Sequence, residues 1–162
     1  MKHKIIDNFL SQEDFLEVKN FMLNRRFPWF LTPTVSEKKE NLPISSSYYF
    51  THVFWSGFHT EPEAQAFAPI LNQIECTAII RIKANLYPST ETLVHHMDHI
   101  DYDFPHRGAI FYINTNDGLT VVNNQEVESI ENRLLLFDPT VPHHSTTCTN
   151  DKCRVNINFN FF

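Results

Sequence analysis

The hydrophobic period of this chain changes near residue 78. Ahead of that point apolar residues recur at helical spacing, and beyond it they alternate. Ile80, Ile82, Ala84 and Leu86 interleave with Arg81, Lys83, Asn85 and Tyr87. Alternation of this kind puts each set on its own face of a strand. Further strands are predicted over 107–114, 118–122, 125–130, 132–138 and 153–162, with Asn116-Asp117-Gly118 and Asn123-Asn124 as hairpin turns. Many short antiparallel strands behind a helical segment predict a mainly β fold with supporting helices, a β-sandwich or jelly roll. The 162 residues fit one domain, with 1–77 as helical support and loop and 78–162 as the sheet core.

In the first part, Ser11-Gln12-Glu13-Asp14 reads as a capping box, and Phe15, Val18 and Met22 form one apolar stripe. This predicts a helix near 12–25. Thr60-Glu61-Pro62-Glu63 reads as a second box, followed by Phe67, Ile70, Leu71 and Ile74, and predicts a helix near 62–75. Residues 31–47 between them are polar, with two Pro and a Ser triplet, and read as a long surface loop of the kind that often serves as a lid. Phe27-Pro28-Trp29-Phe30 is expected to pack the first helix against the sheets.

Charge and cysteine narrow the setting. Thirteen Lys+Arg against nineteen Asp+Glu give a net charge of -6, which argues against a nucleic-acid partner, since phosphate binding rests on basic patches. Cys76, Cys148 and Cys153 form no zinc-type pair and read as free thiols in a reducing, cytoplasmic setting. No apolar run approaches the ~18 residues of a membrane helix. A core of this size stands without a metal, so a metal site here points to function.

Histidine carries the chemistry. His95, His96, His99 and His106 fall within twelve positions, among Asp98, Asp101 and Asp103, and His143-His144 follows later. His-x-Asp on a strand turns both side chains to one face. A distant His can complete a 2-His-1-carboxylate face, the set used by non-haem Fe(II) oxygenases. Two His-x-Asp pairs are present, His96-Met97-Asp98 and His99-Ile100-Asp101. Both stand as candidates here; the first ends a plausible strand, and 99–106 reads as a loop. His143 is preferred over His144 as the distant ligand, and the neighbours left over are expected at the surface. The last strand sets Arg154, Asn156, Asn158 and Asn160 on one polar face, which must meet water or line a polar cavity.

The ordered set Tyr87-Pro88, His96-Met97-Asp98, Tyr112-Ile113-Asn114, Asn132-Arg133 to Phe137-Asp138, His143-His144-Ser145 and Arg154 resembles the Fe(II)/2-oxoglutarate-dependent oxygenases. Within them it is similar to the compact prolyl-hydroxylase-like branch. The resemblance covers roughly 78–162 and implies a double-stranded β-helix, or jelly roll. It implies Fe(II) on His96, Asp98 and His143, and Arg154 on the distal carboxylate of 2-oxoglutarate, a partner suited to the planar fork of guanidinium. Tyr112 would add a hydroxyl there, Tyr87 would stand near the cofactor, and Asn85 and Asn156 would line the pocket. The implied cosubstrates are 2-oxoglutarate and O2, with ascorbate as an expected stimulant. The implied reaction is hydroxylation of a prolyl residue in a peptide or protein. The alternatives are hydroxylation of a free amino acid or other small molecule, and a non-catalytic jelly-roll binding module.

Overall fold

The computed structural model describes residues 3–33 and 48–162. Two antiparallel sheets form the body. The strands are β1 (Lys4–Ile6), β2 (Phe30–Thr32), β3 (Tyr49–Ser56), β4 (His59–Thr60), β5 (Ile79–Pro88), β6 (Arg107–Tyr112), β7 (Asn116–Val122), β8 (Gln125–Ser129), β9 (Leu134–Phe137), β10 (His143–Ser145) and β11 (Cys153–Phe161). The large sheet runs β1-β9-β6-β11-β5-β3-β2, with β4 on β3, and the small sheet runs β10-β7-β8. Residues 95–99 add a fourth strand-like edge to the small sheet through the bridges His95–Thr146 and His99–His143. Four strands of the large sheet, β9-β6-β11-β5, thus lie over four segments of the small one. This is the predicted jelly roll.

The alternating pattern of β11 sorts the interior into two environments. Val155, Ile157, Phe159 and Phe161 are fully buried on the outer face of the large sheet. They share one core with Phe15, Val18 and Met22 of helix α1 (Gln12–Met22) and with Phe67, Ile70 and Ile74. The opposite face of the sheet looks into the roll, where Ile110, Tyr112, Val122, Val127, Leu135 and Phe137 form a smaller apolar cluster. Arg154, Asn156, Asn158 and Asn160 share that inner face, so their polar row lines the interior.

Ser11 caps α1 as its sequence predicts, its Oγ accepting from the Asp14 amide at 3.1 Å. The helix stops at Met22 rather than near Arg25. There Asn24 forms a turn, its Oδ1 accepting from Arg26 N and its carbonyl from Phe27 N, each at 2.9 Å. The second predicted helix is split into a 3₁₀ helix, Pro62–Phe67, and α2, Ala68–Gln73. Thr60 does not cap it but pairs in β4 with Trp55. Pro69 lacks an N–H and so suits the first turn of a new helix.

Three other expectations change. Residues 31 and 32 belong to β2, and residues 34–47 of the predicted lid lie outside the described residues. Tyr49–Ser56, rich in aromatic and β-branched residues, is a strand that pairs with β5. Asn116-Asp117-Gly118 opens β7 with a register shift instead of forming a turn, whereas Asn123-Asn124 does turn the chain, both with positive φ.

Candidate active site

The segment 95–99 and β10 bring their histidines together through the backbone. His99 N donates to His143 O at 2.9 Å, and His143 N to His99 O at 3.0 Å. Residues directly opposite on antiparallel strands share a face. The rings of His99 and His143 accordingly lie 4.5 Å apart. Asp101 follows two residues on, and ligand atoms of His99, Asp101 and His143 all lie within 4.8 Å of one another.

The sequence-preferred pair, His96 and Asp98, is not brought to His143. His95 pairs with Thr146 and His96 N donates to Ser145 O, a register that would set Asp98 opposite His143. One additional residue in the 95–99 segment sets His99 there instead. A one-residue slip moves side chains to the other face, so this segment presents His99 rather than Asp98 opposite His143, a placement that spacing does not reveal. Asp98 instead accepts from His144 Nδ1 at 2.6 Å, and His144 Nε2 is 3.1 Å from His95 Nδ1. His144 is not a plain surface residue: it lines part of the cavity described below. His96 is buried, with Nδ1 2.8 Å from Ser145 Oγ and its ring 5.3 Å from Tyr87. Burial, then the nearby Arg154 charge, pushes His96 down to about 3.

The His99–Asp101–His143 group has the chemistry of a divalent-cation site. The Val141 carbonyl can only accept, so His143 Nδ1, 2.9 Å away, carries a proton and donates it. Nε2 is left as the atom able to ligate, and it is buried with no hydrogen-bond partner among the described residues, as is Nε2 of His96. A carbonyl that accepts from the other ring nitrogen fixes metal-ligating histidines in this way. Asp101 is held on three sides. Arg81 Nη2 donates to Oδ1 at 2.7 Å, while Asn160 and Asn158 Nδ2 donate to Oδ2 at 2.8 and 3.3 Å. Burial raises the Asp101 carboxyl, but Arg81, Asn160 and His143 outweigh it and hold the group at about 2. Oδ2 stands 3.9 Å from His143 Nε2.

A cavity adjoins this group, lined by Asn85, Tyr87, Ile110, Thr120, Asn156 and Asn158 together with His99, His143, His144 and Ser145. Asn85 Nδ2 donates to Asn156 Oδ1 at 3.0 Å, which locks two of the predicted lining residues. Arg154 lies behind the wall, 0% exposed. Its Nε donates to Ser129 Oγ and its Nη2 to Thr120 Oγ1, each at 2.7 Å, and it lies 5.5 Å from the Tyr87 ring and 5.8 Å from the Tyr112 ring. Tyr112 Oη also donates to Thr120 Oγ1, at 2.8 Å. Thr120 Oγ1 thus accepts twice, and its own proton is not used in either bond. Burial raises the Tyr87 and Tyr112 phenols, so neither serves as an anion for Arg154. No carboxylate among the described residues pairs with this arginine. An isolated charge of this kind is costly to bury unless something neutralises it.

Sequence reasoning missed Thr120, Ser129 and Arg81. The first two are marked only by their alternation with the apolar residues of β7 and β8. Larger hollows of about 350 and 600 Å³ open on the helical side, near Phe27 and near Leu71, without a buried unpaired charge.

Solved structures share this architecture. A prolyl hydroxylase from Trichoplax adhaerens, in complex with a hypoxia inducible factor oxygen degradation domain peptide fragment, is 17% identical. It matches 99% of this chain and 83% of its own, with a TM-score of 0.66. A Burkholderia pseudomallei oxidoreductase of the 2OG-Fe(II) oxygenase family is 6% identical over 98% of this chain and 84% of its own, with a TM-score of 0.69. A prolyl-4-hydroxylase from Pseudomonas putida is 15% identical over 98% and 91%, with a TM-score of 0.59. The chain has the fold of these oxygenases. No family model matches the sequence, and no curated protein matches it. At these identities the likeness establishes the fold, and the activity must be argued from the site.

Proposed function

We propose that this protein is an Fe(II)- and 2-oxoglutarate-dependent oxygenase whose metal ligands are His99, Asp101 and His143. The observation that carries the reading is Arg154, fully buried, without a carboxylate partner among the described residues, behind a cavity lined in part by His99 and His143, whose ligand atoms lie within 4.8 Å of the Asp101 carboxylate. A dicarboxylate with a metal-chelating head matches the charge of Arg154 and the chemistry of the His99–Asp101–His143 group. The lone ligating nitrogen of His143 and the fixed carboxylate of Asp101 fit a ferrous ion, since a facial set of three leaves positions open for cosubstrate and O2.

Bound there, Fe(II) with 2-oxoglutarate and O2 supplies an oxidation in which the cosubstrate loses CO2 and becomes succinate, one oxygen atom entering succinate and the other a new C–OH. The protein positions and shields. Arg154 takes the distal carboxylate, with Thr120 donating its free proton and Tyr112 holding Thr120 in place. Tyr87 and the Asn85–Asn156 pair form the wall that keeps the cosubstrate aligned. Val141 and Arg81 fix His143 and Asp101 before metal arrives.

For the primary substrate we propose a prolyl residue in a peptide or protein. The peptide-bound prolyl hydroxylase of the same fold supports this reading over a free amino acid or other small molecule, and the acidic balance of the chain is poorly suited to an oligonucleotide. One catalytic unit over 1–162 and a cytoplasmic setting, in which Cys76, Cys148 and Cys153 stay free, complete the proposal. The test is Fe(II)-dependent release of succinate from 2-oxoglutarate, with and without a proline-peptide library read by mass for the gain of one oxygen. No succinate under any condition refutes the oxygenase. Succinate release that no proline peptide stimulates or consumes refutes the prolyl substrate.

A further inference from the structure

We infer that Lys83 is a substrate-binding residue that recognises a carboxylate beside the oxidised position, so that the peptide taken by this site carries Asp or Glu next to its target residue. The inference rests on the oxygenase reading and gives it a substrate class.

The alternation of β5 sets Arg81, Lys83, Asn85 and Tyr87 on one face. Asn85 and Tyr87 line the cavity beside His99 and His143. Across the ladder Lys83 stands opposite Asn158, another lining residue. Lys83 therefore looks into the roll on the metal side. The other two cations on this face are accounted for. Arg81 is paired with Asp101, and Arg154 meets the distal carboxylate in the proposal above.

Among the described residues Lys83 has no such partner. Its Nζ donates to Tyr49 Oη at 2.8 Å and lies 5.1 Å from the centre of the Tyr49 ring. No carboxylate among the described residues forms an ion pair with it. Tyr49 cannot supply the charge, because burial raises its phenol. Tyr49 is itself fixed, stacked on Tyr87 at 5.3 Å with the rings 6° from parallel. An ammonium has three donors, and one is spent on Tyr49. The remainder belong to a half-buried cation within electrostatic reach of Asp101 and His99. Burial and the charge of Arg81 push the Lys83 ammonium down to about 8, against the pull of Asp101. An arriving anion opposes both by favouring the charged ammonium. On the far side of β5, Thr51 and Thr32 share a hydrogen bond at 2.9 Å, continuing a polar floor away from the cosubstrate end and toward the edge strand.

The experiment uses the full chain loaded with Mn(II) and N-oxalylglycine, an unreactive analogue of 2-oxoglutarate. Two matched peptide libraries are offered, proline flanked by Asp or Glu in one and by Asn or Gln in the other, and bound peptides are read by mass. The wild type should retain the acidic library at least tenfold better. Lys83→Met should abolish the difference, Lys83→Arg should keep part of it, and Lys83→Glu should favour a third library flanked by Lys or Arg. Circular dichroism of each variant checks folding, and the wild-type comparison stands even if one variant fails to fold. Equal retention of the two libraries by wild type, or retention of neither, overturns the inference. So does a loss of N-oxalylglycine affinity in Lys83→Met equal to that in Arg154→Ala, which would assign Lys83 to the cosubstrate. Succinate release without peptide tests the oxygenase reading separately, so the two failures are distinguishable.

Discussion

Arg81 Nη2 and Asp101 Oδ1 are 2.7 Å apart, joining the large sheet to the segment that follows His99. Both side chains are largely withdrawn from water, 21% and 5% exposed. With Oδ1 engaged by arginine, Oδ2 is the oxygen turned toward His143. A partner that holds a ligating carboxylate through its other oxygen typically contributes about 10–100-fold to metal affinity. Arg81→Met should therefore weaken Mn(II) binding at least tenfold by calorimetry, with secondary structure retained. Unchanged affinity would mean that Asp101 needs no such support.

Arg154 separates cosubstrate recognition from metal binding. Hydrogen bonds to charged groups contribute about 1.5–3 kcal/mol, and leaving a buried charge unpaired costs more. Arg154→Ala should raise the 2-oxoglutarate concentration needed by tenfold or more, at ~1.4 kcal/mol per decade. Arg154→Lys should recover part of the loss, because an ammonium lacks the two-pronged geometry. Metal affinity without cosubstrate should change little. Superimposable 2-oxoglutarate titrations for wild type and Arg154→Ala would remove the basis for naming this cosubstrate.

Gly118 makes room for that arginine. A Cβ on Gly118 would lie 2.5 Å from Arg154 Cδ, 2.7 Å from Thr147 O and 2.8 Å from Asn116 Oδ1. The backbone oxygen cannot be rotated away as a side chain can. Gly118→Ala should cost about 1–3 kcal/mol, as overpacking generally does, seen as a lower Tm, and should weaken 2-oxoglutarate by displacing Arg154. A variant with wild-type Tm and affinity would show that the strand yields freely there.

The legible part of this chain was its periodicity. Alternation in β5 and β11 identified the core strands and the polar row of Arg154, Asn156 and Asn158, because a pleated strand leaves each side chain only one of two faces. The choice between His96-Asp98 and His99-Asp101 was not legible. It depends on one irregular residue in a segment held by isolated bridges, and spacing carries no record of which residue is left unpaired. Tyr49–Ser56 was missed as a strand because its run of aromatics hides the alternation. Thr120 and Ser129 were missed because a hydroxyl among strand residues has no motif until Arg154 is seen against it.

The N-terminal strand gives a pH-dependent test of stability. Arg133 Nε and Nη2 donate to the Asp7 carboxylate at 2.5 and 3.1 Å, and these hydrogen bonds hold the Asp7 carboxyl below its usual range. A carboxyl lowered in the folded state contributes stability above its unfolded pKa of about 4, and that stability is lost as pH falls through the folded value. Asp7 is 54% exposed, so screening limits the contribution to about 0.2–1 kcal/mol. Asp7→Asn should lower urea stability by that amount at pH 7 and match wild type at the acid end. A constant difference across the whole range would assign the loss to packing instead.

The identity of the metal ligands is the central claim, and a binding measurement reaches it without any knowledge of the substrate. Anaerobic calorimetric titration of Fe(II), followed by 2-oxoglutarate, should be run on wild type, on His96→Ala with Asp98→Ala, and on His99→Ala with Asp101→Ala. Wild type and the first double variant should bind one Fe(II) and then one 2-oxoglutarate in a metal-dependent step, the first variant losing no more than a few-fold in metal affinity. The second double variant should bind neither while keeping its β-rich circular dichroism. Binding retained by the second double variant and lost by the first would contradict the account.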